Sequence, residues 1–220
     1  MPEIGIICGM AREALALGPL AGHPAVAIAI SGARPDRAEA EALRLAGSGC
    51  RALVSWGIAG GLDPELPPGA LLTPGLVIDQ DGQRMQLHPD MIGASPGAAI
   101  LGLDEMVMSV RAKAALAETG AVAVDMETHR VARAGLEAEI PVVAIRAVGD
   151  PAGRALPQLV ASALGDDGRP RIGAVIWGLI RRPKDLPALV KVKQDTDLAL
   201  AALLSSAPKL SDALISDARA

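Results

Sequence analysis

The chain of 220 residues is half hydrophobic, carries a formal charge of −4 and contains neither Phe nor Tyr. That length and apolar content suffice to bury one sizeable core. The lack of a Lys/Arg-rich block excludes a nucleic-acid surface, which needs a basic face to neutralise phosphates, and the only aromatics, Trp56 and Trp177, exclude a base-stacking platform.

In chain order, Ile4–Ile7 reads as a strand ending at Cys8-Gly9, and Met10–Leu20 as a helix on the spacing of Ala11, Ala14, Leu15 and Leu17. Ala25–Ile30 repeats the strand, closing in Ser31-Gly32, and Pro35-Asp36 opens a helix that runs to Gly47. Ala52–Trp56 is a third strand, leading into Gly57-Ile58-Ala59-Gly60-Gly61, read as a loop that a backbone or a ligand approaches closely. Leu71–Ile78 is an apolar run, followed by a polar excursion from Asp79 to Pro96 with a turn at Asp81-Gly82, and by the short apolar Ala98–Leu103.

Beyond these, Arg111–Glu118 predicts a helix, Ala121–Val124 a strand, Glu127–Glu139 a helix and Val142–Val148 a strand. Such alternation predicts an α/β fold, a mixed, mainly parallel β-sheet flanked by helices. After Asp150 the chain is Pro-punctuated and helical over Leu156–Leu164, Ile172–Ile180 and Leu186–Ser206. The run Ile172–Ile180 is interrupted by Gly173 and Gly178 and is far shorter than the ~20 residues of a membrane-spanning helix.

Cys8 and Cys50 both lie in apolar stretches and read as reduced core thiols. With Met1-Pro2-Glu3-Ile4 lacking the basic start and apolar segment of a signal peptide, a cytoplasmic protein is expected. His23, His88 and His129 have no ligand-like spacing to Cys, His or acidic residues, so no metal site is expected.

The most informative segments are Ala123-Val124-Asp125-Met126-Glu127 and Arg146-Ala147-Val148-Gly149-Asp150, apolar runs that end abruptly in carboxylates at the strand ends where α/β enzymes do their chemistry. Together with Gly5-Ile6-Ile7-Cys8-Gly9-Met10-Ala11-Arg12-Glu13 and Ser55-Trp56-Gly57-Ile58-Ala59-Gly60-Gly61-Leu62, their order and spacing resemble the superfamily of purine nucleoside phosphorylases and methylthioadenosine/S-adenosylhomocysteine nucleosidases. Within it the chain is most similar to the hopanoid-associated phosphorylase branch, on Ser31-Gly32-Ala33-Arg34, Val124-Asp125-Met126-Glu127-Thr128-His129, Asp166-Asp167-Gly168-Arg169-Pro170 and Arg181-Arg182-Pro183.

The resemblance implies a single nucleoside phosphorylase-like domain over 1–220 and cleavage of an N-ribosidic bond in a 5′-modified adenosine, adenosylhopane in that branch, with release of adenine. It also implies no cofactor apart from phosphate as a co-substrate, and a homo-oligomer. Cleaving such a bond requires a grip on the ribose, a hydrogen bond or proton for the departing base, and water or phosphate held against the anomeric carbon. By the resemblance, Glu127 grips the ribose with Met126 against the sugar, Asp150 serves purine N7, and Glu13 holds the attacking water as in hydrolytic members. Gly60 and Ile58 border the substrate.

The residues alone leave plainer roles open: Glu127 as a first-turn acid on a helix dipole, Asp150 as a turn residue before Pro151, Glu13 and Arg12 as solvated helix charges. Ile58 stands where the family often has Ser, and Ser55 where its phosphorylases use Arg, so Gly9 and Arg34 are the remaining phosphate ligands expected. Arg34 reads equally as a surface charge. Trp177-Gly178-Leu179-Ile180 before Arg181-Arg182 suggests a peripheral membrane contact, against which stands ordinary helix packing. Two other readings remain: a methylthioadenosine/S-adenosylhomocysteine nucleosidase, and a non-catalytic module that binds a nucleoside or lipid.

Overall fold

The computed structural model describes residues 2–163 and 183–216. Among them, β1 (Ile4–Cys8), β2 (Val26–Ile30) and β3 (Ala52–Gly61) lie parallel with β1 between the other two. From β3 the sheet continues through β8 (Ala123–Asp125), β7 (Ile100–Gly102) and β5 (Leu76–Asp79) to β6 (Arg84–Gln86). β9 (Val142–Asp150) runs parallel to β3 and takes β4 (Leu71–Leu72) antiparallel on its other side. This is the mixed, mainly parallel sheet expected, with antiparallel pairs at β3–β8, β4–β9 and β5–β6.

The two sheet faces are legible in the alternation of the strands. Ile7, Leu53, Val142 and Ala144 point to one side, where they meet α2 (Pro35–Gly47) and α4 (Thr128–Glu137) through Ala38, Ala42, Leu45, Val131 and Ala134. Ile4, Ile6, Val54, Trp56, Val143 and Ile145 point to the other, against Leu17, Ala199, Leu203 and Leu210. The last three belong to α6 (Leu186–Ser216), which starts where expected and runs on past Pro208. Two further helices lie among the described residues, α3 (Val110–Ala117) and α5 (Gln158–Ala163).

Three expectations differ from the fold. The helix from Met10 shortens to α1 (Ala11–Leu15), because Gly18 turns to φ +56° and Pro19 follows, giving a 3-10 turn over Gly18–Gly22. The run Leu71–Ile78 divides at Pro74-Gly75 into β4 and β5. The segment Gly57–Gly61 is the second half of β3 rather than a loop, paired with β9. Its glycines serve close side-chain approach: a Cβ on Gly57 would lie 2.6 Å from Arg146 Nη1 and 2.7 Å from Glu13 Oε1. The expected helix Ile172–Ile180, the membrane contact at Trp177–Arg182 and the Asp166–Pro170 motif lie outside the described residues. Among those described, no helix is long and apolar enough to cross a membrane.

Among the described residues Trp56 is the largest fully buried side chain, and its indole Nε1 donates to the Glu13 carbonyl at 3.0 Å. It therefore links the core to α1 directly beneath the site. Trp56→Ala is expected to cost about 3–5 kcal/mol, read as a lower midpoint in urea unfolding followed by circular dichroism.

Candidate active site

β1, β3, β8 and β9 carry their chemistry at adjoining ends. Glu13, in the first turn of α1, is 2% exposed and closes the helix start by accepting Met10 N–H at 2.7 Å through Oε2. Its Oε1 accepts the Ile58 N–H of β3 at 2.8 Å. The carboxylate of Glu13 thus occupies backbone donors from two different elements. Burial pushes its pKa up, opposed by Arg146 and by the amides of Ile58, Met10 and Gly9.

Glu127 caps α4 and is likewise buried. A Cβ on Gly9 would lie 2.8 Å from Glu127 Oε1 and 3.2 Å from Glu13 Oε2, so both carboxyl groups converge over the end of β1. Between them and Asp125 sits Arg146, fully buried on β9. Its Nε is 2.6 Å from Asp125 Oδ2, Nη2 donates to Ser55 Oγ at 2.6 Å and Thr128 Oγ1 at 3.0 Å, and Nη2 lies 3.6 Å from Glu127 Oε2. Asp125 also receives the Thr128 hydroxyl and, at 3.1 Å, the Thr128 N–H.

One guanidinium therefore serves three carboxyl groups, Asp125, Glu127 and Glu13. The imbalance shows at Glu127, whose pKa rises to about 8, first through burial and then through Asp125 and Glu13, with Arg146 pulling back. Arg146 itself is drawn down by burial, but the surrounding carboxylates outweigh that and hold it charged. Its Nη1 has no hydrogen-bond partner, and it lies beside Gly57 and Glu13.

Asp150 ends β9. A register shift between Ala59 and Gly60 sets Gly60 opposite Asp150, and Gly149 has no room for a Cβ against Ile58. Burial raises the pKa of Asp150, countered by Lys113 and Arg154. Arg154 pairs with Asp195 of α6, which fixes that helix to the loop after β9. A second network steadies the opposite side: Asp104 accepts from His129 at 3.0 Å and from Arg130 Nε and Nη2 at 3.0 and 2.5 Å, while Arg130 reaches Glu39 at 2.9 Å.

Glu13, Asp125, Glu127, Asp150 and Lys113 face one cavity of about 630 Å³. Gly9, Glu13, Ile58, Gly60, Met126, Glu127 and Asp150, all singled out from the sequence, line it together. Arg34 is not among them: at the start of α2 its guanidinium bonds Asp36 at 3.0 Å with about half of its side chain exposed, while its neighbour Ala33 borders the cavity. Arg146 and Lys113 were not assigned roles from the sequence. A signal existed for Arg146, since a charge inside an otherwise apolar buried strand demands partners; Lys113, among the alanines of α3, gave none. Among the described residues no cluster of His, Cys, Asp and Glu could hold a metal ion.

A family model described as the phosphorylase superfamily matches residues 11–99 and 98–167. No curated protein sequence matches. Among solved structures, the chain is similar to 5′-methylthioadenosine/S-adenosylhomocysteine nucleosidase from Helicobacter pylori in complex with butyl-thio-DADMe-Immucillin-A, at 16% identity and a TM-score of 0.71, covering 98% of this chain and 99% of that one. The Neisseria meningitidis nucleosidase of the same name gives 18% identity, a TM-score of 0.71 and 98% and 100% coverage. Futalosine hydrolase of Helicobacter pylori gives 15%, 0.70, and 98% of both chains. At these identities the likeness establishes the fold.

The raised pKa of Glu127 has a consequence for stability. Protons bind the folded state more tightly than the unfolded one, so stability falls as pH rises from 4.5 to about 8. For one proton the slope is at most about 1.4 kcal/mol per pH unit. Glu127→Gln, which fixes a neutral group of the same shape, is expected to flatten this decline, measured by urea unfolding at pH 5, 6.5 and 8.

Proposed function

We propose that this chain, which belongs to the phosphorylase superfamily, is an enzyme that hydrolyses the N-glycosidic bond of a 5′-modified adenosine and releases adenine. The observation that carries this reading is the Glu13 carboxylate, seated on the Met10 and Ile58 amides beside Glu127 and Arg146. Backbone donors that could cradle an oxyanion already hold a built-in one. A phosphate dianion brought to the same place would meet Glu13 and Glu127 with only one guanidinium to balance them, whereas neutral water meets a base.

In this reading Glu13 accepts the proton of the attacking water as its oxygen bonds to C1′. The electron pair of the C1′–N9 bond stays with the purine, and Asp150 supplies a proton or hydrogen bond at N7. Glu127 accepts hydrogen bonds from the ribose hydroxyls, with Met126 against the sugar. Arg146 fixes the spacing of the carboxyl groups and offers its unpartnered Nη1 toward Glu13.

The 5′ group is read as apolar, adenosylhopane being the substrate proposed. Beyond the charged cluster the cavity is bordered by Met106, Val107, Leu156, Val160, Leu189 and Val190, a surface with little to offer a polar substituent. Val190 is 47% exposed and Leu186, one turn earlier on α6, 51%, which supports entry of a lipid-linked nucleoside at this rim. The alternative, cleavage of methylthioadenosine or S-adenosylhomocysteine, is favoured by Glu13. It also draws on the Helicobacter pylori nucleosidase, whose bound ligand carries a butylthio group.

The test is adenine release from a series of 5′-alkylthioadenosines of increasing chain length. Turnover is expected with kcat/KM rising with chain length, and Glu13→Gln is expected to lose roughly 10²- to 10⁴-fold in kcat. No adenine from any member of the series would sink the reading; kcat/KM highest for methylthioadenosine would select the alternative.

A further inference from the structure

Lys113 is fully buried, yet it borders the cavity. Its ammonium is saturated by three acceptors, all from the end of β9: Asp150 Oδ2, the Asp150 carbonyl at 3.1 Å and the Pro151 carbonyl at 3.0 Å. An ammonium has three donors, so Lys113 is spent entirely on Asp150 and the turn after it. Removing a lysine from water costs several kcal/mol unless it is paired, and a cation in the first turn of α3 also opposes the helix dipole. The helix holds it there nonetheless. Ser109 caps α3, accepting from Ala112 N–H at 3.1 Å, and Leu156 N–H bonds the Met108 carbonyl at 2.9 Å, tying the start of α3 to the loop after Asp150.

We propose that Lys113 is the positioning residue that sets the protonation of Asp150, holding its carboxyl in place and making it a strong enough acid to protonate the leaving purine. The inference rests on the nucleosidase reading above. The step starts from the protonated form of Asp150, which burial favours, with Lys113 against its Oδ2. As the C1′–N9 bond breaks, its electron pair moves onto the purine, the Asp150 O–H bond gives its proton to N7, and the carboxylate left behind forms an ion pair with Lys113. Without the lysine the same step would strand a bare carboxylate in an apolar cavity.

Among the described residues, the charged groups facing Asp150 are Lys113 from α3 and Arg154 from the loop after β9, and Arg154 is itself committed to Asp195 of α6. β3 presents only Gly60. Burial and these cations pull the Asp150 pKa in opposite directions, burial prevailing. Removing the lysine charge leaves burial far less opposed, so the carboxyl holds its proton to higher pH.

The experiment compares the full chain with Lys113→Met and Lys113→Arg by two measurements. One is ¹³C carboxyl NMR titration of Asp150, its signal identified by its loss in Asp150→Asn. The other is the pH profile of kcat/KM for a 5′-alkylthioadenosine. In Lys113→Met the Asp150 midpoint and the alkaline fall in kcat/KM are expected to rise together by about 1–3 pH units, while Lys113→Arg keeps both near the wild-type positions. An unmoved midpoint overturns the proposal, as does a shifted midpoint with an unmoved alkaline limb, which would make the pair structural. Retained turnover in Asp150→Asn, or no adenine release by the wild type, overturns instead the reading of the site on which the role depends.

Discussion

The buried guanidinium of Arg146 is the constraint around which the site is built. A charge with no exposed surface must be compensated, and here compensation is drawn from three elements: Asp125 from β8, Ser55 from β3 and Thr128 from α4. Binding all three fixes β8, β3 and the start of α4 relative to β9. Glu127, the cap of α4, is carried to its position by the same bonds, and Gly57 leaves the space through which Arg146 and Glu13 approach each other.

The electrostatic consequence is a site with more carboxyl groups than cations. One guanidinium cannot hold Asp125, Glu127 and Glu13 all ionised without cost, and the cost is taken up by a Glu127 that keeps its proton to about pH 8. Such a site suits a neutral nucleophile and a sugar with hydroxyls to share. It is poorly disposed to a dianion. The far end of the cavity works differently: Asp150 is raised by burial and restrained by Lys113 and Arg154, so it balances acid strength against desolvation. Separated carboxyl groups, each with its own cationic partner, are what the proposed reading needs to divide work on the sugar from work on the base.

Much of this was legible in the sequence for one reason: the site lies at the ends of strands, and strand ends are visible where an apolar run stops in a carboxylate. That marked Glu127 and Asp150, whereas Glu13, Met126, Ile58, Gly60 and Gly9 followed only from the resemblance of their segments to the superfamily. Contacts between segments distant in sequence were not legible. Arg146 meets Ser55 across 91 positions and Lys113 meets Asp150 across 37, and nothing local announces either. Gly57–Gly61 misled as a loop because its glycines answer to side chains arriving from β9 and α1, not to a turn. Arg34 illustrates the same limit: its charge sits beside a strand end in the sequence, but the αL backbone at Gly32 and Ala33 is followed by a side chain bonded to Asp36 at the helix start.

The protein's own Glu13 carboxylate fills the seat formed by the Met10 and Ile58 amides. The most direct test is cleavage of a 5′-alkylthioadenosine in H₂¹⁸O with saturating inorganic phosphate, followed by mass spectrometry of the sugar product. A free sugar carrying ¹⁸O at C1, with adenine release unchanged by phosphate, is the predicted result. Formation of the sugar 1-phosphate would contradict it.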